Sequence, residues 1–111
     1  MHELSVMKAL IDAVKGYQQQ HAQAVKAIRI EVGKLTCIDS ERLKFCFDLL
    51  REDEGLRDTQ LRIDTVTATA KCQGCGKQMQ LHHFGQACDC GSFENEILTG
   101  NELNLTEIEF L

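Results

Sequence analysis

Four cysteines packed into nineteen residues constrain this chain more than any other feature. They read Cys72-x2-Cys75-x12-Cys88-x-Cys90, two close pairs that two loop tips can carry. Four thiolates so arranged can surround one Zn2+ as a tetrahedron, and the closed shell leaves no open position for chemistry. Gly76 and Gly91, one after each pair, let the backbone turn tightly behind the sulfurs because glycine tolerates positive φ. The segment around the pairs holds little that could form a core, so bound zinc takes the place of one. The second pair is C-x-C, a tighter bite than C-x-x-C. His82 and His83 lie in the loop between the pairs, and imidazole is an acceptable zinc ligand, so a site that uses one of them stays open beside the four-cysteine site. Iron is a further alternative from ligand type. A redox role for Cys72-Gln-Gly-Cys75 is unattractive, because no strand-to-helix setting is present to lower a thiol pKa.

The rest of the chain reads as a small α+β unit. Its 111 residues suit one compact domain or a domain with a metal-stapled lobe. Met7, Leu10, Ile11, Val14 and Tyr17 repeat at helical spacing and predict a helix over 4–20. Residues 25–33 switch period, with Ile28, Ile30 and Val32 on one side and Arg29 and Glu31 on the other, which predicts a half-buried strand closed by Gly33. A second helix begins near Asp39, a good N-cap, with Ile38 and Leu43 at the positions of a hydrophobic staple. Leu43, Cys46, Phe47 and Leu50 form its buried face, Cys46 as a core thiol. Residues 60–69 are rich in β-branched side chains and predict another strand. After the cysteine segment, Leu103, Leu105, Ile108 and Phe110 mark a terminal strand with a phase slip near Thr106 and Glu107 that suggests a bulge. The expected fold is α+β, a small mixed sheet packed by two helices with an inserted zinc-ribbon-like lobe. Residues 1–69 and 96–111 make up the main domain and 70–95 the lobe.

Charge excludes some partners. Lys and Arg number 12 against 17 Asp and Glu, a net charge of −5, without a basic cluster of the kind a phosphate-backbone binder shows. No nucleic acid is expected as partner. Glu3, Lys8, Asp12 and Lys15 interrupt what would be the apolar core of a signal peptide, and no apolar run reaches the roughly 18 residues of a membrane span. The expectation is a cytoplasmic protein that does not engage a membrane, its six cysteines kept reduced.

The chain opens Met1-His2-Glu3. Terminal residues are usually mobile and solvated, and taken alone these say little. Their donors are nonetheless suggestive. The free amine, the backbone nitrogen of His2 and its imidazole could close adjacent chelate rings on one metal, and planar nitrogen donors suit Ni2+ or Cu2+. Glu3 adds an acceptor, and Asp39 could approach if the second helix starts beside the terminus.

Taken together, Met1-His2-Glu3, the first helix, Ile30-Glu-Val-Gly33, Cys46-Phe-Asp-Leu-Leu50, the two cysteine pairs and Thr99-Gly100-Asn-Glu-Leu103 resemble HypA/HybF, the hydrogenase nickel-incorporation accessory proteins. The resemblance runs through essentially the whole chain. It implies a nickel-binding α/β domain with a zinc lobe: Ni2+ bound through His2 at the terminus with Met1 and Glu3 adjacent and Asp39 as a further contact, Zn2+ held by Cys72, Cys75, Cys88 and Cys90. Similar proteins work with the GTPase HypB to supply the [NiFe]-hydrogenase large subunit and, in some bacteria, urease through its maturation proteins. The chain departs from the family where the second pair typically reads Cys-Pro-x-Cys, because Ala87 stands where the first of those cysteines would be.

The competing reading is a zinc-ribbon interaction or adaptor module, on nucleic acid for example, without metal cargo, and the acidic balance counts against it. An enzyme is not expected: the sequence offers no Ser/His/Asp set, no phosphate-cradling glycine loop and no open zinc site.

Overall fold

The computed structural model describes residues 3–111. Its elements are α1 (Glu3–His21), β1 (Val25–Gly33), α2 (Ser40–Leu50), β2 (Gln60–Val66), β3 (Thr69–Cys72), β4 (Gln78–Gln80), β5 (Asn95–Thr99) and β6 (Leu103–Phe110). Met7, Ile11 and Val14, spaced one turn apart, put the apolar stripe of α1 wholly inside. Tyr17, expected in that stripe, is half exposed at its far end. In α2 the buried face is Leu43 and Phe47. Cys46, expected as a core thiol, is only half-buried and packs at the rim of the core.

Three strands form the main sheet in the order β2-β1-β6. β1 runs parallel to β2 and antiparallel to β6, so the sheet is mixed as expected. Ile28, Ile30 and Val32 turn their side chains to the helices and are at most 2% exposed. The opposite face is charged, with Arg29 between Asp64 (3.5 Å) and Glu107 (3.4 Å) and Lys26 against Glu109 (3.4 Å). The register of β6 slips where Leu105 and Glu107 oppose Ile30 and Arg29, which leaves Thr106 unpaired. That is the bulge the phase slip predicts, and the Thr106 hydroxyl donates to the Arg29 carbonyl at 3.1 Å.

Topology sets the directions of the helices. A crossover that returns the chain from the end of β1 to the start of a parallel β2 must carry α2 antiparallel to both strands. α1 joins β1 through three residues and therefore also runs antiparallel to it. The helices lie side by side in the same sense, tied where Lys15 Nζ meets Glu54 at 2.6 Å. One pole of the unit thus collects the start of α1, the end of β1, the start of α2, the end of β2 and the start of β6.

The second lobe grows from that pole. The strand expected over 60–69 is two strands in different sheets: β2 stops at Val66, and β3 joins a separate sheet of order β4-β3-β5. The break falls at Ala68, which turns inward and is wholly buried with Leu35, Ala70 and Leu81, while Met79 and Ile97 pack around them. The lobe therefore has a small core of its own, which the sequence did not suggest. Leu35 comes from a 3-10 turn, Lys34–Thr36, between β1 and α2, and pins the lobe to the main domain. Beside it, Gly33 and Gly100 pass so closely that a Cβ on Gly33 would lie 2.0 Å from the Gly100 oxygen.

Candidate metal centres

β3 ends on Cys72, and the tight turn that follows carries Cys75. The turn is fixed from both sides: the Cys72 amide donates to the Lys77 carbonyl and the Gly76 amide to the Cys72 carbonyl, each at 2.8 Å. Gly76 sits at φ +78°, where an L side chain would be strained. The second pair repeats the device. The Gly91 amide donates to Cys88 at 2.8 Å, the Cys88 amide to Ser92 at 2.9 Å, and Gly91 lies at φ +91°. A bond from the Gln73 amide to Glu94 at 2.9 Å draws the two turns together. At their contact a Cβ on Gly74 would lie 3.0 Å from that of Ser92.

The four sulfurs consequently lie within 4.8 Å of one another. Cys72 and Cys90 are 3.6 Å apart, Cys75 and Cys88 3.7 Å. A tetrahedron with Zn–S arms of about 2.3 Å has edges of about 3.8 Å, so the cluster has the dimensions zinc requires. The C-x-C bite is no obstacle.

Ionisation within the cluster is uneven. Backbone amides, that of Cys75 first and Gly74 after it, favour the Cys72 thiolate against the cost of burial and lower its pKa to about 6 from an ordinary 9.0. For Cys90 the Ser92 amide pulls downward, but the Cys72 thiol, burial and the other two sulfurs outweigh it and raise the pKa to about 11. Cys72 and Cys90, 3.6 Å apart, are thus shifted in opposite directions. A cation among them makes all four thiolates together, which is the donor chemistry of a closed Zn2+ site.

His82 and His83 stand apart from the cluster. Both are exposed; the His82 amide donates to the Gln86 side chain at 2.8 Å, and His83 Nδ1 lies 2.8 Å from the Phe84 carbonyl, to which it donates when protonated there. The only group of three or more ligand side chains close enough to hold an ion, among the described residues, is the four-cysteine one.

Of the residues expected to bind nickel, Met1 and His2 lie outside the described residues. Glu3 opens α1 and is half-buried. Asp39 is the N-cap of α2, its Oδ1 accepting from the backbone amides of Glu41 (2.9 Å) and Arg42 (3.4 Å). Its second oxygen faces the Arg42 guanidinium at 3.9 Å. The residues that sequence reasoning missed are Leu35, Gly33 and Gly100, which join the lobes. Gly33 and Gly100 gave a signal only as glycines at segment ends, not as partners, and Leu35 gave none.

Residues 1–110 match the family described as hydrogenase/urease nickel incorporation, metallochaperone, HypA. The chain is 35% identical over 109 residues to the hydrogenase maturation factor HypA of Trichormus variabilis, covering 98% of this chain and 95% of that one. To the protein of the same name from Aeromonas hydrophila it is 34% identical over 111 residues, covering 98% of each. A solution structure of a HypA protein superposes with a TM-score of 0.73 at 25% identity, over all of this chain and 97% of the other. The solution structure of the nickel metallochaperone HypA from Helicobacter pylori gives 0.69 at 23% identity, over all of this chain and 98% of that one, and supports the fold.

Proposed function

The chain belongs to the HypA family of hydrogenase and urease nickel-incorporation metallochaperones, and from that premise we infer how its own residues would carry nickel. Its function is that of a nickel metallochaperone for hydrogenase maturation, with a four-cysteine cluster suited to structural zinc. Nickel is the cargo. We assign its capture to the amine of Met1, the backbone and imidazole nitrogens of His2, and the neighbouring carboxylates of Glu3 and Asp39.

The observation that carries this assignment is the shared pole. Lys8, Ile11 and Asp12 of α1 border one groove with Leu50 and Glu54, and Lys15 pairs with Glu54. The two helices advance together, so their first turns start at the same end, which brings the backbone of Glu3 and the cap residue Asp39 to one side of the domain. Few protein ligands at a chain end hold a metal tightly enough to carry it and loosely enough to release it. His2 ligates only when neutral, so nickel affinity falls as pH drops below roughly 6.5.

Cys72, Cys75, Cys88 and Cys90 would hold zinc, which when bound supplies a fixed cross-link and no open coordination position. This chain's own part is to present the sulfurs from two glycine-backed turns and to donate backbone amides to Cys72. The remaining roles follow as proposals: a carrier without catalytic activity, partnered by the GTPase HypB and the [NiFe]-hydrogenase large subunit, with urease maturation proteins as further recipients. Among the described residues no helix is long and apolar enough to cross a membrane, and a cytoplasmic site of action fits that.

The test is nickel titration of the untagged chain by calorimetry, with zinc quantified in parallel. Wild type should take up nickel stoichiometrically. His2→Ala should lose that binding while zinc content and circular dichroism stay unchanged, and residues added ahead of Met1 should weaken binding by removing the amine. A His2→Ala protein that titrates like wild type would overturn the terminal site.

A further inference from the structure

The two helices cover one face of the main sheet, and their own outer side is bare. On α2, Lys44, Asp48 and Arg51 border β2, so the flank that carries Phe45 and Leu49 turns the other way, toward α1. On α1, Leu4, Lys8, Ile11 and Lys15 make one row at helical spacing, and this row faces α2, since Lys15 reaches Glu54. A groove of about 150 Å3 lies between the helices, bordered by Lys8, Ile11, Asp12, Leu50 and Glu54. Apolar side chains stand on both of its banks: Phe45 is 62% exposed, Leu49 60% and Leu4 42%. A single exposed leucine is ordinary on a protein surface. A phenylalanine and a leucine one turn apart, with a third apolar side chain on the adjoining helix, instead form a stripe at the spacing that seats another helix.

One end of the groove is acidic and unbalanced. α2 has no basic residue in its last turn, and Glu52, Asp53 and Glu54 follow its cap residue Arg51. Carboxylates are unfavourably placed at the negative end of a helix dipole. Arg51 does not relieve them, because it is turned back to Asp48 and to the carbonyls of Leu56 and Thr59. Lys15 answers Glu54 at 2.6 Å. Asp12, Glu52 and Asp53 have no Lys or Arg within 4.0 Å among the described residues.

We propose that this groove docks an amphipathic helix of a partner protein, apolar along one face and carrying Lys or Arg in one terminal half. Its apolar row packs on Phe45, Leu49 and Leu4. Its basic half meets Asp12, Glu52 and Asp53, and supplies the positive charge that the end of α2 lacks. Lys8 and Arg42 flank the other end of the groove, near the starts of the helices, and repel a helix that is basic throughout. The charges therefore decide which half of the partner helix lies where. None of the residues that receive it is assigned to a metal, so docking and nickel capture can fail separately.

Fluorescence anisotropy and 15N chemical-shift mapping on the full, zinc-loaded chain test this. The probe is a labelled synthetic helix of about 18 residues, long enough to be helical alone. Leucines at helical spacing line one face, with glutamines elsewhere in one half and lysines elsewhere in the other. Wild type should bind it one to one and saturably, with shift changes along residues 4–15 and 42–54. A peptide with glutamates for the lysines, and one of the same composition with its leucines spread around the helix, should each bind roughly tenfold more weakly or worse. F45S/L49S should lose affinity by a similar factor, and E52K/D53K should lose affinity together with much of its salt dependence. No saturable binding up to about 1 mM, equal binding of the spread-leucine peptide, or an F45S/L49S protein that binds like wild type would overturn the proposal. So would Phe45 and Leu49 proving to be covered otherwise, shown by F45S/L49S losing either binding to phosphatidylcholine–phosphatidylglycerol vesicles or association with a second copy. If a variant fails to fold by circular dichroism, the wild-type shift map decides, and changes centred outside the two helices overturn the proposal.

Discussion

Asp39 serves the fold as a cap and is proposed to meet nickel as well, and substitution can separate the two roles. Its carboxylate caps α2 through two backbone amides. Asp39→Ala should cost about 1 kcal/mol in thermal or urea unfolding. Asn caps about as well as Asp, so Asp39→Asn should unfold like wild type. If the carboxylate also meets nickel, both variants should weaken nickel binding, by roughly tenfold for a contribution of about 1.4 kcal/mol. Unchanged titration with Asp39→Asn would leave Asp39 a cap alone. Gly33 makes a different case. Its φ of −76° suits any residue, so its requirement is not conformational. The Gly100 backbone fills the place of its Cβ, and Gly33→Ala should destabilise by about 3 kcal/mol, measured by urea unfolding. At this scale the cap and the four cysteines were legible, because both depend on short spacings along the chain. The contact between Gly33 and Gly100 was not, since nothing local to either names the other.

Among the elements, helices and strands with a strong period were read well and the cysteine lobe poorly. α1, β1, α2 and β6 each bury one face and leave its repeat in the sequence. β4 is three residues long and β5 alternates only weakly, so their order comes from pairing with β3 and from the metal turns rather than from their own pattern. The same cause split the strand expected over 60–69: β-branched content continues across Val66 and Thr69, while Ala68 turns into a second core that no periodicity announces. That core is four small or medium side chains, too few to hold three strands without a cross-link. Cys88→Ser, or removal of zinc by a chelator, should therefore melt β3, β4 and β5 and spare α1, α2 and β1. Hydrogen exchange would show amide protection in the second sheet falling by about a hundredfold or more, since a ligand at 100 times its dissociation constant contributes about 2.7 kcal/mol. Protection unchanged in β3 after complete zinc loss would show that the lobe holds itself together.

For the whole molecule the question is whether two lobes move as one. The Cα radius of gyration is 17.3 Å and the extents are 53 × 24 × 16 Å. A compact chain of this length would have a radius near 13 Å, so the lobes lie end to end and share little surface. Two chain crossings connect them, after β2 and before β6, and two short strands alone would leave a hinge. The amide of Leu35 donates to Gly100 at 2.8 Å and that of Gly33 to Glu102 at 2.8 Å, and the Leu35 side chain enters the second core. This third connection starts from the turn that leads into the cap of α2, so the lobe is braced against the pole where α1 and α2 begin. Leu35→Ala removes the brace and leaves the sulfur cluster whole. It should cost about 2–3 kcal/mol in the stability of the second lobe, and zinc should remain stoichiometric. In 15N relaxation, wild type should tumble with a single correlation time and the variant with a separate, shorter one for residues 69–99. Leu35→Met, close in volume, should behave like wild type. Two correlation times already present in wild type would mean that the strands, and not Leu35, set how the lobes are joined.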